Sequence, residues 1–317
     1  MQFPDHFQQA HLPTPIIPFC NFFKELGTYT VLLKRDDFTG VELSGNKVRK
    51  LDFLLKDAQR LGATRVITCG GLQSNHCRST AFYASQLGLK TTLVLRGQVP
   101  AQTTGNLFLN QLLGVDIHYI SAGEYESVNA IMENIAQQSP EKCYIIPEGG
   151  SNEVGAWGYI KAFYEIIEQD KSIETIVVAT GSGGTHAGLL LGKLLSKSPL
   201  NVLSVNVCDD AGFFQDKIDS IMREFCQRYE KHLKWQKSDI RIIDGFVGAG
   251  YGEIGPREVE TIKRLAQQEG IVIDPVYGAK ALAGFEHYLK NKQIPGEKIL
   301  FIHTGGIFGV FPYADFF

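Results

Sequence analysis

Short runs made almost wholly of Val, Ile and Leu recur along this chain, and they limit its folding choices more than any other feature. They are TVLLKR (30–35), RVITCG (65–70), KTTLVL (90–95), VDIHYI (115–120), KCYIIP (142–147), TIVVAT (175–180), NVLSVNV (201–207), IRII (240–243) and KILFIH (298–303). A strand wetted on one face alternates apolar and polar residues; a continuous apolar run belongs to a strand covered on both faces. Between the runs, apolar residues recur at three- and four-residue spacing, as in 154–168 and 257–268, which predicts helices. Buried strands separated by helices give an α/β fold with two open, twisted, mostly parallel sheets. The 317 residues suffice for two domains at about 100–200 residues each. Ligands of such sheets sit beyond the carboxyl ends of the strands, so the strand-to-helix loops are the places to search for chemistry.

The bulk numbers remove several function classes. A formal net charge of −3 offers no basic field for nucleic acid or an acidic membrane surface. No apolar run approaches the roughly 20 residues of a membrane span, and the first residues, MQFPDHFQQAHLPTP, lack a basic stretch followed by an apolar one. Cys20, Cys69, Cys77, Cys143, Cys208 and Cys226 are scattered, with no CxxC and no His/Cys cluster at metal spacing. Most are expected to be buried, reduced thiols of a cytoplasmic protein. The expected partner is a small molecule.

Glycine is concentrated in the loops CGGLQSN, EGGSN, TGSGGTHAG, GAGYGEIG and HTGG. In TIVVATGSGGTHAG a buried strand runs into Gly181, Ser182, Gly183, Gly184 and Thr185 before a helix begins. Successive backbone N–H groups at such a helix mouth suit an anion, and phosphate is the natural occupant. A dinucleotide-binding reading as a nicotinamide oxidoreductase fails on spacing, because counting GxGxxG from Gly181 puts His186 in the third glycine position. The loop VITCGGLQSNHC repeats the strand–glycine–helix pattern. There Ser74 and Asn75 suit an N-cap, and the mouth formed with His76 is a candidate carboxylate site; capping alone is the plainer alternative.

The third loop holds a lysine. From Val48 the apolar positions Val48, Leu51, Leu54, Leu55, Ala58 and Leu61 form a helical stripe, and Lys47 falls on it. Arg49, Lys50, Lys56 and Arg60 fall off the stripe and are expected at solvent. With Asn46 as N-cap, Lys47 lies in the first turn, where burial and the positive helix end disfavour its ammonium form. A lysine of lowered pKa suits Schiff-base chemistry; a lysine snorkelling at a helix start is the alternative. Lysine, phosphate cradle and carboxylate cradle together describe pyridoxal 5′-phosphate holding an amino acid.

The segments KRDDFTG…SGNKVRKLDFLL, GGLQSNHCRSTAFYASQLGLK, TGSGGTHAGLLLG, DPVYGAKALAG and HTGG resemble the D-cysteine desulfhydrase and 1-aminocyclopropane-1-carboxylate deaminase family. The similarity runs from about residue 12 to the end, with its motifs in order. It implies a fold-type II pyridoxal-phosphate lyase and a homodimer. A large domain of residues 1–48 and 160–317 would carry a smaller inserted one, 49–159, with the cofactor between them. Lys47 matches the cofactor-holding lysine, Asn75 the partner of the cofactor's 3′-oxygen, Ser74 a substrate-contacting serine, and Gly181 to Thr185 the phosphate cup. Tyr277 matches the tyrosine stacked at the cofactor ring, and Tyr251 a second active-site tyrosine. The deaminases resemble DPVYEGK and HLGG, with a glutamate that meets the pyridine nitrogen. Here Gly278 follows Tyr277, and Thr304 stands where the leucine would be. This leans towards D-cysteine elimination, with the cyclopropane substrate, serine and L-cysteate as alternatives. Gly278-Ala279 departs from both branches, and IFGVFPY departs from the family's usual tail.

Overall fold

The apolar runs become the strands of two separate sheets. The computed structural model describes residues 1–317. Its strands are β1 (Ile16–Pro18), β2 (Thr30–Arg35), β3 (Arg65–Gly71), β4 (Lys90–Arg96), β5 (Asp116–Ile120), β6 (Cys143–Ile145), β7 (Thr175–Thr180), β8 (Asn201–Asn206), β9 (Arg241–Ile243) and β10 (Lys298–His303). The helices are α1 (Lys47–Arg60), α2 (Asn75–Gln86), α3 (Gly105–Leu112), α4 (Ala122–Tyr125), α5 (Val128–Gln138), α6 (Ala156–Gln169), α7 (Gly184–Ser196), α8 (Ala211–Arg228), α9 (Pro256–Glu269) and α10 (Gly278–Lys290). No helix is long and apolar enough to cross a membrane.

One sheet has six strands in the order β1-β2-β10-β7-β8-β9, the other four in the order β5-β4-β3-β6. Every pairing is parallel except β1 with β2. The fold is the α/β arrangement that the continuous strands demand. Three differences from the sequence reading sit at sheet edges. β1 has only three residues, ending on Pro18, too short for a pattern but acceptable on an edge. KCYIIP and IRII shorten to β6 and β9, each bonded on one side only.

Parallel strands deliver their loops to one end of each sheet. β7 and β10 are neighbours, so Gly181 and Thr304 leave the large sheet side by side. β3 delivers the 71–75 loop from the small sheet. Helix α1 packs on both α2 and α6. Val48, Leu51, Leu54, Leu55 and Ala58 are fully buried along its stripe.

The expectation that Arg49 and Lys50 reach solvent is wrong: they are 2% and 1% exposed. The first turns of α1 are enclosed all round, so charge there must find partners rather than water. Arg49 donates to Asp36 (2.7 and 2.9 Å) and to Glu165 (2.9 and 3.0 Å). Lys34 and Tyr159 join the same cluster. Removing one member would strand the others in the interior, at about 3–5 kcal/mol. Lys56 and Arg60 stay at the surface as expected. Of the cysteines, all free, only Cys69, Cys77 and Cys208 are buried; Cys20 is exposed and Cys143 and Cys226 are half-buried.

Candidate active site

The strand-end loops converge on a cavity. Its wall includes Lys47, Ser74, Asn75, His76, Gly181, Ser182, Gly183, Thr185, Tyr251, Tyr277 and Thr304. These residues come from opposite ends of the sequence. Gly184 lies just behind the wall, its N–H donating to Ser151 Oγ at 3.2 Å. A Cβ on Gly184 would meet that oxygen at 2.5 Å, so only glycine lets the two loops touch.

Lys47 opens α1. Asn46 before it is not the expected N-cap: its backbone is already helical and its side chain makes no capping bond. Its Nδ2 instead donates to Thr185 Oγ1 at 3.1 Å, and its N–H to the Thr304 carbonyl at 3.0 Å. The helix start is thereby tied to both loops of the large sheet. Gly45 makes this possible with φ +113, and a Cβ there would lie 2.7 Å from the Thr304 oxygen. Lys47 is half-buried, Nζ 6.0 Å from the centre of the Tyr277 ring, and no hydrogen-bond acceptor claims it. Burial pulls its pKa down to about 8 against the pull of Glu148 and Asp274. An unclaimed amine of that acidity is a nucleophile near neutral pH.

Tyr251 and Tyr277 share a hydroxyl–hydroxyl hydrogen bond of 2.6 Å. Burial pushes both phenols up, so they stay protonated and uncharged. Asp274 accepts from the N–H groups of Tyr277 (2.9 Å) and Gly278 (2.8 Å), capping α10 and fixing Tyr277. Burial raises its pKa to about 6 even so.

The mouths of α2 and α7 differ. Ser74 is the N-cap of α2 and accepts from the Cys77 N–H at 3.2 Å. Asn75 follows as the first helical residue, its Oδ1 taken by Asn106 Nδ2 at 2.9 Å. Thr68 gives its hydroxyl proton to the Ile146 carbonyl, so the 2.8 Å contact of His76 Nε2 with Thr68 Oγ1 makes Nε2 the protonated nitrogen. Nδ1 is left as a buried acceptor without a partner, and burial holds the ring neutral. The ring therefore offers no donor to a carboxylate, which leaves the role expected of His76 to its backbone N–H in the first turn of α2. At α7 the N-cap is Gly183 (φ +82), which has no side chain to cap with, and of the first amides only Gly184's is taken by a side chain, Ser151. That mouth is the one left open to an anion.

Three residues that the sequence reading passed over complete the site. Glu148 lines the cavity and accepts from the Tyr125 hydroxyl at 2.8 Å. Lys50 sends Nζ to the Gly149 carbonyl (3.1 Å) and to Ser151 Oγ (3.2 Å). Ser151 Oγ in turn contacts Ser182 Oγ at 2.8 Å. A second lysine thus stands behind the glycine cup. The EGGSN glycines were the only signal of this loop, and nothing in them singled out Glu148 or Ser151.

The chain that carries this site is matched among known proteins along nearly its whole length. Residues 7–305 match the family described as pyridoxal-phosphate dependent enzyme. The chain belongs to the pyridoxal-phosphate-dependent enzymes. It is 41% identical to the bifunctional D-cysteine desulfhydrase/1-aminocyclopropane-1-carboxylate deaminase, mitochondrial, of Arabidopsis thaliana, over 98% of this chain and 81% of the relative. A crystal structure described as an ACC deaminase homologue superposes with a TM-score of 0.90 at 35% identity, covering 98% of this chain and 94% of the other. Threonine deaminase isoform 2 of Solanum lycopersicum shares the fold alone, with a TM-score of 0.68 at 17% identity over 94% and 80% of the two chains. The nicotinamide alternative is set aside. The donor set present here fits the family's cofactor: an unclaimed amine for its aldehyde, uncapped backbone amides for its phosphate, and hydroxyl and amide side chains for its ring.

Proposed function

We propose that this enzyme eliminates the β-substituent of a small D-amino acid, most directly D-cysteine, releasing pyruvate, ammonia and hydrogen sulfide. The supporting observation is the absence of a carboxylate where Thr304 meets the cavity. Gly278 is buried, and a Cβ there would lie 2.2 Å from Ile273 Cγ1, so the glutamate of the deaminase branch has no room. Asp274 spends both carboxylate oxygens on backbone amides. Thr304 is left to donate a hydroxyl to a neutral pyridine nitrogen. A ring so held is a weaker electron sink, adequate for expelling a good leaving group and poor for opening a cyclopropane.

In this reading Lys47 holds the cofactor through Nζ. The loop Gly181–Thr185, through the amides of Gly181, Ser182, Gly183 and Thr185 and the Ser182 and Thr185 hydroxyls, holds its phosphate, Asn75 its 3′-oxygen, and Tyr277 one face of its ring. The bound group supplies the electron sink for carbanion chemistry. Lys47 Nζ, released by the incoming amino acid, takes the α-proton. The Tyr277–Tyr251 hydroxyl pair relays protons at the same face, and Ser74 orients the substrate carboxylate at the mouth of α2. The segment 49–159 closes over the remainder of the chain and excludes water.

The testing experiment is a visible spectrum of the purified holoenzyme, titrated with D-cysteine, L-cysteine and 1-aminocyclopropane-1-carboxylate. D-Cysteine should perturb the band and yield pyruvate and sulfide, with the cyclopropane substrate turned over at least about a hundredfold less efficiently. Efficient cyclopropane deamination would overturn the reading.

A further inference from the structure

Asn106, in the first turn of α3, is fully buried beside the mouth of α2, and its amide is locked at both ends. Its Oδ1 accepts from Arg78 Nε at 2.9 Å, while its Nδ2 donates to the Gln73 carbonyl and to Asn75 Oδ1, both at 2.9 Å. An arginine can only donate and a backbone carbonyl can only accept. Turning the Asn106 amide over would therefore set donor against donor at Arg78 and acceptor against acceptor at Gln73. Asn106 has one orientation.

That orientation passes on to Asn75. Its Oδ1 must meet the Asn106 N–H, which leaves Nδ2 as the end turned away. Asn75 lines the cavity, and no acceptor in the protein takes its Nδ2. Gly306 (φ +103) keeps the space beside that nitrogen clear, since a Cβ there would lie 2.8 Å from it. Arg78, at the head of this chain of amides, is fully buried and pairs with no carboxylate. Its two terminal nitrogens go to the Glu42 carbonyl and, at 2.7 Å, to the Ser44 carbonyl, in the loop that leads into Lys47. One donor-only side chain thus holds the loop before the unclaimed amine and sets the polarity of the amide at the cavity wall.

We propose that Asn106, locked by Arg78, is a positioning residue that makes Asn75 present an N–H, and never an oxygen, to the 3′-oxygen of the cofactor. The inference rests on the proposed place of that oxygen at Asn75 and deepens it. The 3′-oxygen is a phenol oxygen that bears negative charge when ionised. An amide N–H aimed at it makes a charge-assisted hydrogen bond, whereas an amide oxygen in the same place repels it. The two ends of an asparagine amide have nearly the same shape, so packing alone does not choose between them; the one-way bonds of Arg78 and Gln73 do. A water in place of Asn106 would not, because water donates and accepts equally well.

The test measures, by equilibrium dialysis against the full-length apoprotein, the dissociation constants of pyridoxal 5′-phosphate and of its 3-deoxy analogue, in which hydrogen replaces the 3-hydroxyl. The variants are Asn106→Asp, Asn106→Ala and Asn75→Ala. Asn106→Asp keeps Arg78 paired but offers Asn75 only oxygens, so the Asn75 amide turns and its own oxygen faces the cavity. The wild-type preference for pyridoxal phosphate over the analogue should fall about tenfold or more in Asn106→Asp, the value of a hydrogen bond to a charged group. In Asn106→Ala, where water takes the vacated space, it should fall about three- to tenfold. Asn75→Ala, which lacks the donor itself, should lose the preference as fully as Asn106→Asp. A fall below about threefold in both Asn106 variants, with the preference lost in Asn75→Ala, overturns the inference and leaves the 3′-oxygen at Asn75. If circular dichroism shows Asn106→Asp unfolded, Asn106→Ala decides at the same threshold. Equal losses for the two ligands also overturn it, since Asn106 would then only pack α3 against α2. A wild-type protein without the preference, or an Asn75→Ala protein that keeps it, overturns the place of the 3′-oxygen and the inference with it.

Discussion

Lys47 and Lys50 lie about one turn apart on α1, and the structure treats them oppositely. Both ammonium groups are disfavoured by burial. Lys50 has a carbonyl and a hydroxyl within 3.2 Å and no open space around it. Lys47 has no acceptor and faces the cavity. Desolvation alone therefore does not make a reactive lysine. Reactivity also needs an unclaimed lone pair with room for an electrophile, and on α1 Lys47 meets that condition while Lys50 does not.

The sharpest way to break this contrast is to remove each amine in turn. Lys47→Ala should abolish the visible absorption of bound cofactor and lower turnover by at least about a thousandfold. Absorbance and pyruvate assays check both. A variant retaining either would make Lys47 a bystander.

Lys50→Met should act less strongly and on a different quantity. Lys50 reaches the Gly181–Thr185 loop through Ser151, which touches both Ser182 and the Gly184 N–H. A phosphate dianion there would raise the Lys50 pKa and keep it charged. Equilibrium dialysis should show about 10- to 100-fold weaker binding of pyridoxal phosphate, the range for a lost charge-assisted interaction. Binding of pyridoxal, which lacks the phosphate, should change far less. Equal losses for both would mean that Lys50 merely packs the 149–151 loop.

The same pair shows how far the sequence could be read. The sheets were legible because a strand buried on both faces is written in contiguous Val, Ile and Leu. The glycine loops were legible because backbone approach demands glycine. Lys47 was legible because it lies on an apolar stripe. Lys50 and Arg49 were misread because amphipathic logic assumes one wet face, whereas α1 is clasped by α2 and α6. The partners that settle them, Asp36, Gly149, Ser151 and Glu165, are up to 116 residues away in sequence. Asn46 was taken for a cap because Asn often is one; its real partner, Thr185, is 139 residues off. Local chemistry could be read from the chain, and pairings across the cleft could not.

The smallest expected effect sharpens the contrast through stability. In the apoprotein, Lys47 gains no hydrogen bond to offset the loss of water around its charge. Its pKa is about 8 folded against an ordinary 10.5. Between these values the unfolded chain holds the proton and the folded one does not, so stability must rise with pH across that window. Below about pH 8 both states are protonated and the folded state bears the whole penalty. Lys47→Met should therefore raise the melting temperature of the apoprotein at pH 7 by a few degrees, about 2–4 °C per kcal/mol in a large domain. The advantage should shrink between pH 8 and 10.5. Scanning calorimetry of wild-type and Lys47→Met apoprotein across that range is the check. A variant that melts lower at pH 7 would mean that Lys47 supports the fold, and the distinction between the two lysines would collapse.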